Sequence, residues 1–320
     1  MLPIFPKFRL MIKIFKAVLI IFSLLISPIF PLEISSQVFF DLNMSSQKGV
    51  YSAFHLRRAY LNFTEKISDE LSFRLTTDAG TSTIDGRINV FIKMANITWN
   101  TPIGSFIIGP QSTNYFGPNK KTWGYRFIAK SPVDYHKFIK STADFGIGYS
   151  HSFGEFNTNV QIVNGDGYKK NDSDGKMLTS LRLMYGESKL NKNDGHNVGI
   201  VMTSFDGESD DDADDYSLIG LFGGWSSSGL RLGLEYNSYD YGSLTDKLTS
   251  FYLNYKMSDA LNLFARHDML NTHDDNLSSI DETTSMLGAI WSPTKGLYVS
   301  PNVVIEDDSN DYRLTFMFKY

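Results

Sequence analysis

Six cations crowd one stretch of the chain, Gln111 to Thr142: Lys120, Lys121, Arg126, Lys130, Lys137 and Lys140, against a single acid, Asp134. Lysine and arginine at this density attract and steer anions, and arginine adds planar, two-pronged donors suited to phosphate and carboxylate. Among the charges run Tyr115, Phe116, Trp123, Tyr125, Phe127, Tyr135 and Phe138, with Pro118 and Pro132 as breaks. So many aromatics argue against disorder, and no strand-like alternation runs through the stretch. We therefore expect a folded, cationic insertion held inside something larger.

Other chemistry finds little footing. The histidines at 55, 136, 151, 196, 267 and 273 show no metal-ligand spacing and no paired serine. Ser226-Ser227-Ser228 lies between Gly224 and Gly229 without forming a G-x-S-x-G elbow, and its expected place is a turn. Asp206, Glu208, Asp210, Asp211, Asp212, Asp214 and Asp215 make a dense acidic run whose spacing matches no defined calcium loop; we read it as a solvated loop. Asp172-Ser173-Asp174-Gly175 is a fragment of a calcium-loop pattern without its later glutamate. No metal site and no cofactor is indicated. Basic residues alternate with apolar ones and form no surface stripe, which speaks against nucleic acid as a partner.

The elements that must hold the cationic stretch are strands. Aromatics make up 14% of the chain, with 25 Gly, 17 Tyr and 24 Phe, and the only long apolar run is N-terminal. From Met11 that run reads as an export signal: Lys13 and Lys16, apolar Ala17 to Ile26, then Ser35-Ser36. Residues 1–36 are the expected signal peptide and 37–320 the mature barrel domain. Removing Lys7, Arg9, Lys13, Lys16 and Glu33 from 30 basic and 35 acidic residues leaves 26 and 34, a net charge of −8. The absence of cysteine suits passage through an oxidising periplasm.

Beyond residue 36, segments of alternating polarity recur, each closed by Gly, Asn, Asp, Ser or Pro. They fall at 37–43, 51–66, 71–78, 87–99, 105–110, 143–151, 155–164, 177–185, 197–205, 216–225, 230–239, 248–257, 260–268, 283–292, 297–305 and 311–320. This is the pattern of an all-β, antiparallel transmembrane barrel of about sixteen strands, with fourteen as the alternative; the first segment and the one holding Pro301 are the weakest. Short and long connections alternate, as turns at one barrel end and loops at the other should. The long ones are 79–86, 111–142, 165–176, 206–215, 240–247 and 269–282, while 186–196 is long where a short turn is expected. On this count 111–142 is the third extracellular loop, and we expect it to fold inward.

Placing aliphatic and aromatic residues outward turns Arg58, Arg74, Arg182, Arg231, Lys256, Arg266, Arg313 and Lys319 toward the lumen, with only Glu235 and Asp268 as acids. A lysine or arginine facing lipid at mid-depth costs about 2–4 kcal/mol, so the inward assignment follows. Lys93 shares a face with Phe91, Ala95, Ile97 and Trp99 and is expected to snorkel from near a rim.

Arg57-Arg58-Ala59-Tyr60-Leu61-Asn62-Phe63, with Lys66 and Leu71-Ser72-Phe73-Arg74-Leu75, resembles the phosphate-selective porin O/P family. Phe106-Ile107-Ile108-Gly109-Pro110-Gln111-Ser112-Thr113 is similar to that family's strand entering its constriction loop, and Phe127-Ile128-Ala129-Lys130-Ser131 to a patch within it. Asp144-Phe145-Gly146-Ile147-Gly148-Tyr149 and Asn164-Gly165-Asp166-Gly167 resemble the hairpin that follows. The resemblance implies sixteen strands, a homotrimer in the bacterial outer membrane and basic residues selecting anions, phosphate among them. It also implies that the terminal Tyr320 is read by the outer-membrane assembly machinery.

The expected function is a water-filled channel for passive diffusion of small anions. Its pore-lining residues are Arg58, Arg74, Lys120, Lys121, Arg126, Lys130, Arg182, Arg231, Lys256, Arg266 and Arg313. A plugged structural or adhesive barrel is the main rival, an outer-membrane hydrolase the lesser one.

Overall fold

Period-two alternation becomes sixteen antiparallel strands that close on themselves, the last pairing with the first. The computed structural model describes residues 32–45, 52–81, 87–170, 175–205, 215–273, 278–307 and 309–320. In chain order the strands are β1 (Glu33–Ser45), β2 (Ala53–Lys66), β3 (Leu71–Thr81), β4 (Ile88–Thr101), β5 (Gly104–Ile108), β6 (Gly146–Phe153), β7 (Phe156–Val163) and β8 (Leu178–Gly186). Then come β9 (Gly195–Phe205), β10 (Tyr216–Ser227), β11 (Leu230–Tyr241), β12 (Leu244–Lys256), β13 (Leu261–His273), β14 (Ser279–Thr294), β15 (Leu297–Glu306) and β16 (Ser309–Lys319). Every segment expected from alternation is a strand, and the count is sixteen, not fourteen. The acidic residues from Asp206 to Asp214, and Asp172, Ser173 and Asp174, lie outside the described residues.

The two weakest segments survive for identifiable reasons. β1 is held along both edges, by β2 and by β16. Ser36 and Tyr320 exchange two backbone hydrogen bonds of 3.0 Å, which seals the cylinder. The boundary expected after Ser36 thus falls inside β1. Pro301 sits on the outer face, and β15 continues to pair with β16 through Leu314 while its ladder to β14 lapses at Ser300 and Pro301.

Facing follows the polarity. Along β11, Leu232, Leu234 and Tyr236 are exposed on the outside, whereas Gly233, Glu235 and Asn237 are buried within. The exposed outer set includes Trp99, Phe153, Val198, Leu221, Trp225, Phe251, Trp291 and Phe318, a surface suited to hydrocarbon. Three register shifts interrupt the ladders of the described residues, one of them in β14 between Trp291 and Thr294, and the other two matter for the lumen. Opposite Phe39 and Phe40, β2 places Arg58 and Leu56, leaving Arg57 as an extra residue. Opposite Thr76 and Thr77, β4 places Met94 and Ile92, leaving Lys93 as the extra one. A bulge re-aims a side chain, and both send a cation into the barrel. Lys93 therefore does not snorkel at a rim: it is 3% exposed, reaching Asp78 at 3.6 Å.

Two connections differ from expectation. The long loop foreseen at 240–247 is a two-residue turn, Gly242-Ser243, because polar residues continue the ladder: Thr245 Oγ1 donates to Asp240 at 2.6 Å. Likewise β13 and β14 run past their expected ends to His273 and Ser279, with Asn271 bonded to Asp281 at 2.7 Å. The long turn between β8 and β9 folds inward. Its Leu190 is 1% exposed, and Leu190 and Thr122 both close over Gly224, where a Cβ would meet them at 2.7 and 2.6 Å.

The third loop, L3, leaves the wall at Gly109-Pro110. Gly109 has φ +106°, and a Cβ there would meet Ala95 O at 2.5 Å. Gly109→Ala should cost about 1–3 kcal/mol, read as a lower urea midpoint for unfolding from lipid; an unchanged midpoint would contradict this account of the exit.

Candidate functional site

L3 is built from short pieces. Gln111–Ser112 pairs with Ala143–Asp144 at its neck, and a 3₁₀ turn follows at Asn114–Phe116. Helix α1 (Pro118–Trp123) starts on a proline and ends on Gly124 in the left-handed conformation, whose N–H donates to Lys120 O at 2.8 Å. Helix α2 (Pro132–Tyr135) likewise starts on proline.

The wall grips these pieces by their main chain. Arg231 Nε donates to Thr122 O at 2.7 Å and its Nη2 to Trp123 O at 3.2 Å. Asn254 adds a bond to Trp123 O at 3.2 Å. Arg266 Nη1 donates to Lys130 O at 2.5 Å while its other nitrogens engage Asp268, which also bonds His136 at 2.9 Å. Arg57 Nη1 donates to Phe127 O at 3.1 Å and Ile128 O at 2.8 Å. Tyr135 Oη donates to Glu306 at 2.9 Å. Trp123, fully buried, packs edge-on against Tyr252 and Phe264 of the inner wall. Capping loose carbonyls with guanidinium groups satisfies irregular backbone that water cannot fully reach.

The loop and the β1–β4 wall together gather seven cations: Arg57, Arg58, Arg74, Lys93, Lys120, Arg126 and Lys130. Three acids face them. Asp78 takes Arg58 at 3.1 Å and Lys93 at 3.6 Å, and accepts a bond from Tyr168 of the loop between β7 and β8 at 2.6 Å. Asp134 takes Arg126 at 2.7 Å and Lys130 at 3.2 Å; Asp41 takes Arg57 at 3.5 Å. Arg74 is exposed within the lumen, its bonds among the described residues going to neutral Asn62 and Thr76. A cavity of about 260 Å³ opens among Phe39, Leu56, Arg57, Arg58, Arg126 and Lys130. Burial alone would raise the Asp134 carboxyl, but Arg126 and Lys130 outweigh it and hold the group below its ordinary value. Burial first, then Arg126 and Lys93, brings the Lys120 ammonium down to about 7.

Of the expected pore-lining residues, Arg58, Arg74, Lys120, Arg126 and Lys130 meet at this constriction. Lys121 and Arg182 line a separate cavity of about 320 Å³ beside Gly117 and Glu187. Arg231 and Arg266 are not free pore charges: they hold L3 carbonyls, and the Arg266 side chain is wholly buried. Lys256 ends β12 and pairs with Asp259 at 2.6 Å in an exposed turn, so it stands apart from the constriction. Arg313 pairs with Asp311 at 3.0 Å.

Arg57 and Lys93 were missed because strict alternation was applied through the bulges. The signal was present: Arg57-Arg58 on a regular strand would leave one arginine in lipid. Ser226 bonds Asp194 at 3.4 Å beside a turn, and His267 meets the Ser285 hydroxyl at 2.8 Å on the outer face.

The fold has solved counterparts. OmpT of Vibrio cholerae in its trimer form superposes with a TM-score of 0.67 at 12% identity, covering 91% of this chain and 99% of that one. OmpF of Salmonella typhi in complex with daunomycin gives 0.67 at 11%, covering 90% and 97%. An anion-selective porin from Comamonas acidovorans gives 0.64 at 11%, covering 91% and 99%. At these identities the likeness is one of fold: the barrel is that of bacterial porins. No family model matches the chain, and no curated protein matches it.

Removing one member of a buried ion pair strands the other, whereas an exposed pair contributes little. Arg266→Met should therefore lower stability by about 3–5 kcal/mol and Lys256→Met by under about 1 kcal/mol. Urea unfolding of the two variants side by side checks the contrast; equal losses would refute the clamp role of Arg266.

Proposed function

We propose that this porin-fold barrel is an outer-membrane channel for passive diffusion of small anions, with L3 as its selective constriction. The carrying observation is the gathering of seven cations against three acids where L3 meets the β1–β4 wall. A narrow passage with low-dielectric walls focuses the field of its lining charges, and rings of lysine and arginine are how anion pores select. The fold shared with an anion-selective porin agrees with this reading. Phosphate is the anion that the O/P-like motifs suggest, and its tetrahedral oxygens suit paired guanidinium donors.

The apolar outer face requires a bilayer, and the trimer form of one fold relative supports a homotrimer here. Tyr320, closing the barrel against Ser36, is the proposed recognition point for the assembly machinery. The N-terminal segment is read as a removed export signal. Because pairing of β1 with β2 begins at Glu33, processing upstream of Glu33 leaves the ladder whole. Intact mass of the secreted protein checks this, and a mature chain starting at Gln37 would refute it.

One observation favours a second reading, a closed barrel of structural role. L3 touches opposite parts of the wall, with Phe127 against both Phe39 and Tyr298 and Tyr115 bonded to Val201 O. Conductance separates the two. Purified protein in planar bilayers should give discrete steps with anions carrying more current than cations. Neutralising Lys120, Lys121, Arg126 and Lys130 together should roughly halve the anion-to-cation permeability ratio. A silent membrane would favour the closed barrel, and an unchanged reversal potential would remove L3 from selectivity.

A further inference from the structure

Phe116 has no charge and no polar side-chain atom, yet the cations of the constriction converge on it. Its ring centroid lies 4.3 Å from Lys120 Nζ, 4.5 Å from Arg126 Cζ and 5.5 Å from Lys93 Nζ. All three distances are within reach of the attraction between a cation and a ring face. The three arrive from separate places: α1, the turn beyond it and the bulge of β4. The ring is 3% exposed and sits in the 3₁₀ turn, where its N–H donates to Thr113 O at 3.1 Å. Its neighbours pin that turn to the wall, Asn114 to Ser180 Oγ at 2.8 Å and Tyr115 to Val201 O at 3.2 Å.

A carboxylate in this place would cancel one of the charges it gathered. An aromatic face attracts cations through its quadrupole and adds no net charge. Asp134 and Asp78 are already shared by Arg126, Lys130, Arg58 and Lys93. Lys120 has the ring as its partner.

We propose that Phe116 is a positioning residue for anion selectivity, its ring serving as the counter-charge of Lys120 without the site being neutralised. This rests on the reading of the pore as anion-selective. The surroundings of the Lys120 ammonium set the direction of the effect. Lys120 faces Arg126 and Lys121 from its own loop, Lys93 from β4 and Arg74 from β3. These charged neighbours are all cations, so loss of the ring favours the neutral Lys120 amine, and the site loses charge at a lower pH.

The experiment is reversal-potential recording in planar bilayers under a potassium chloride gradient, from about pH 5 to pH 9. It uses the full-length native sequence, Phe116→Leu and Phe116→Tyr. The anion preference of the native channel should fall, without vanishing, as pH rises through neutrality, because the arginines stay charged. Phe116→Leu, close in volume but without a π face, should shift that midpoint down by about half a pH unit. It should regain the native preference at about pH 5, and Phe116→Tyr should follow the native profile. Superposable native and leucine profiles would overturn the inference while leaving the anion reading intact. So would a leucine variant whose preference is low at every pH, since that marks a displaced loop. A native channel with no anion preference at pH 5 would overturn both.

Discussion

A charged side chain on a membrane-crossing strand has one acceptable direction. Facing lipid at mid-depth costs about 2–4 kcal/mol, a large part of any domain's net stability. In this barrel the rule governs the walls and also overrides the walls' own regularity. Where sequence spacing would aim Arg57 or Lys93 outward, the ladder takes in an extra residue and both cations enter the lumen. The constriction's charge therefore depends on two local defects in pairing.

Gathering cations creates a second problem, which is keeping an irregular loop among them. L3 carries many carbonyls with no ladder to join. Arg57, Arg231 and Arg266 answer it by donating to Ile128, Thr122 and Lys130. Arg231 and Arg266 are thus structural glue, Arg57 both holds L3 and adds its charge to the cluster, and Arg74 with Lys130 faces the lumen. The fixed fork of the guanidinium suits both tasks, whereas lysine serves as a point charge. That division explains why counting inward cations along the strands overstates the number left free in the lumen.

Much of this was legible in the chain. Alternation located all sixteen strands, and turn residues located the connections, because period-two patterning reports directly on a wall wet on one side and greasy on the other. Polar cross-strand pairs such as Thr245 with Asp240 hid where β11 and β12 continue, since a strand beyond the apolar belt no longer alternates. The cationic nature of L3 could be read from Lys120, Arg126 and Lys130. Its partners could not: Arg266 is far from Lys130 in sequence, and nothing local to either residue announces the bond. Phe116 among the aromatics of L3 looks like ordinary core; only the bulge at Lys93 brings the third cation to its ring.

The reach of L3's tethers also orders assembly in time. The loop is secured by residues from β2, β11, β13 and β15, and the Tyr135–Glu306 bond spans 171 positions. No such seat exists on a partly zipped sheet, and closing so long a span is entropically dear until the sheet has done it already. The cylinder must therefore form first as an open tube, with its throat fitted last.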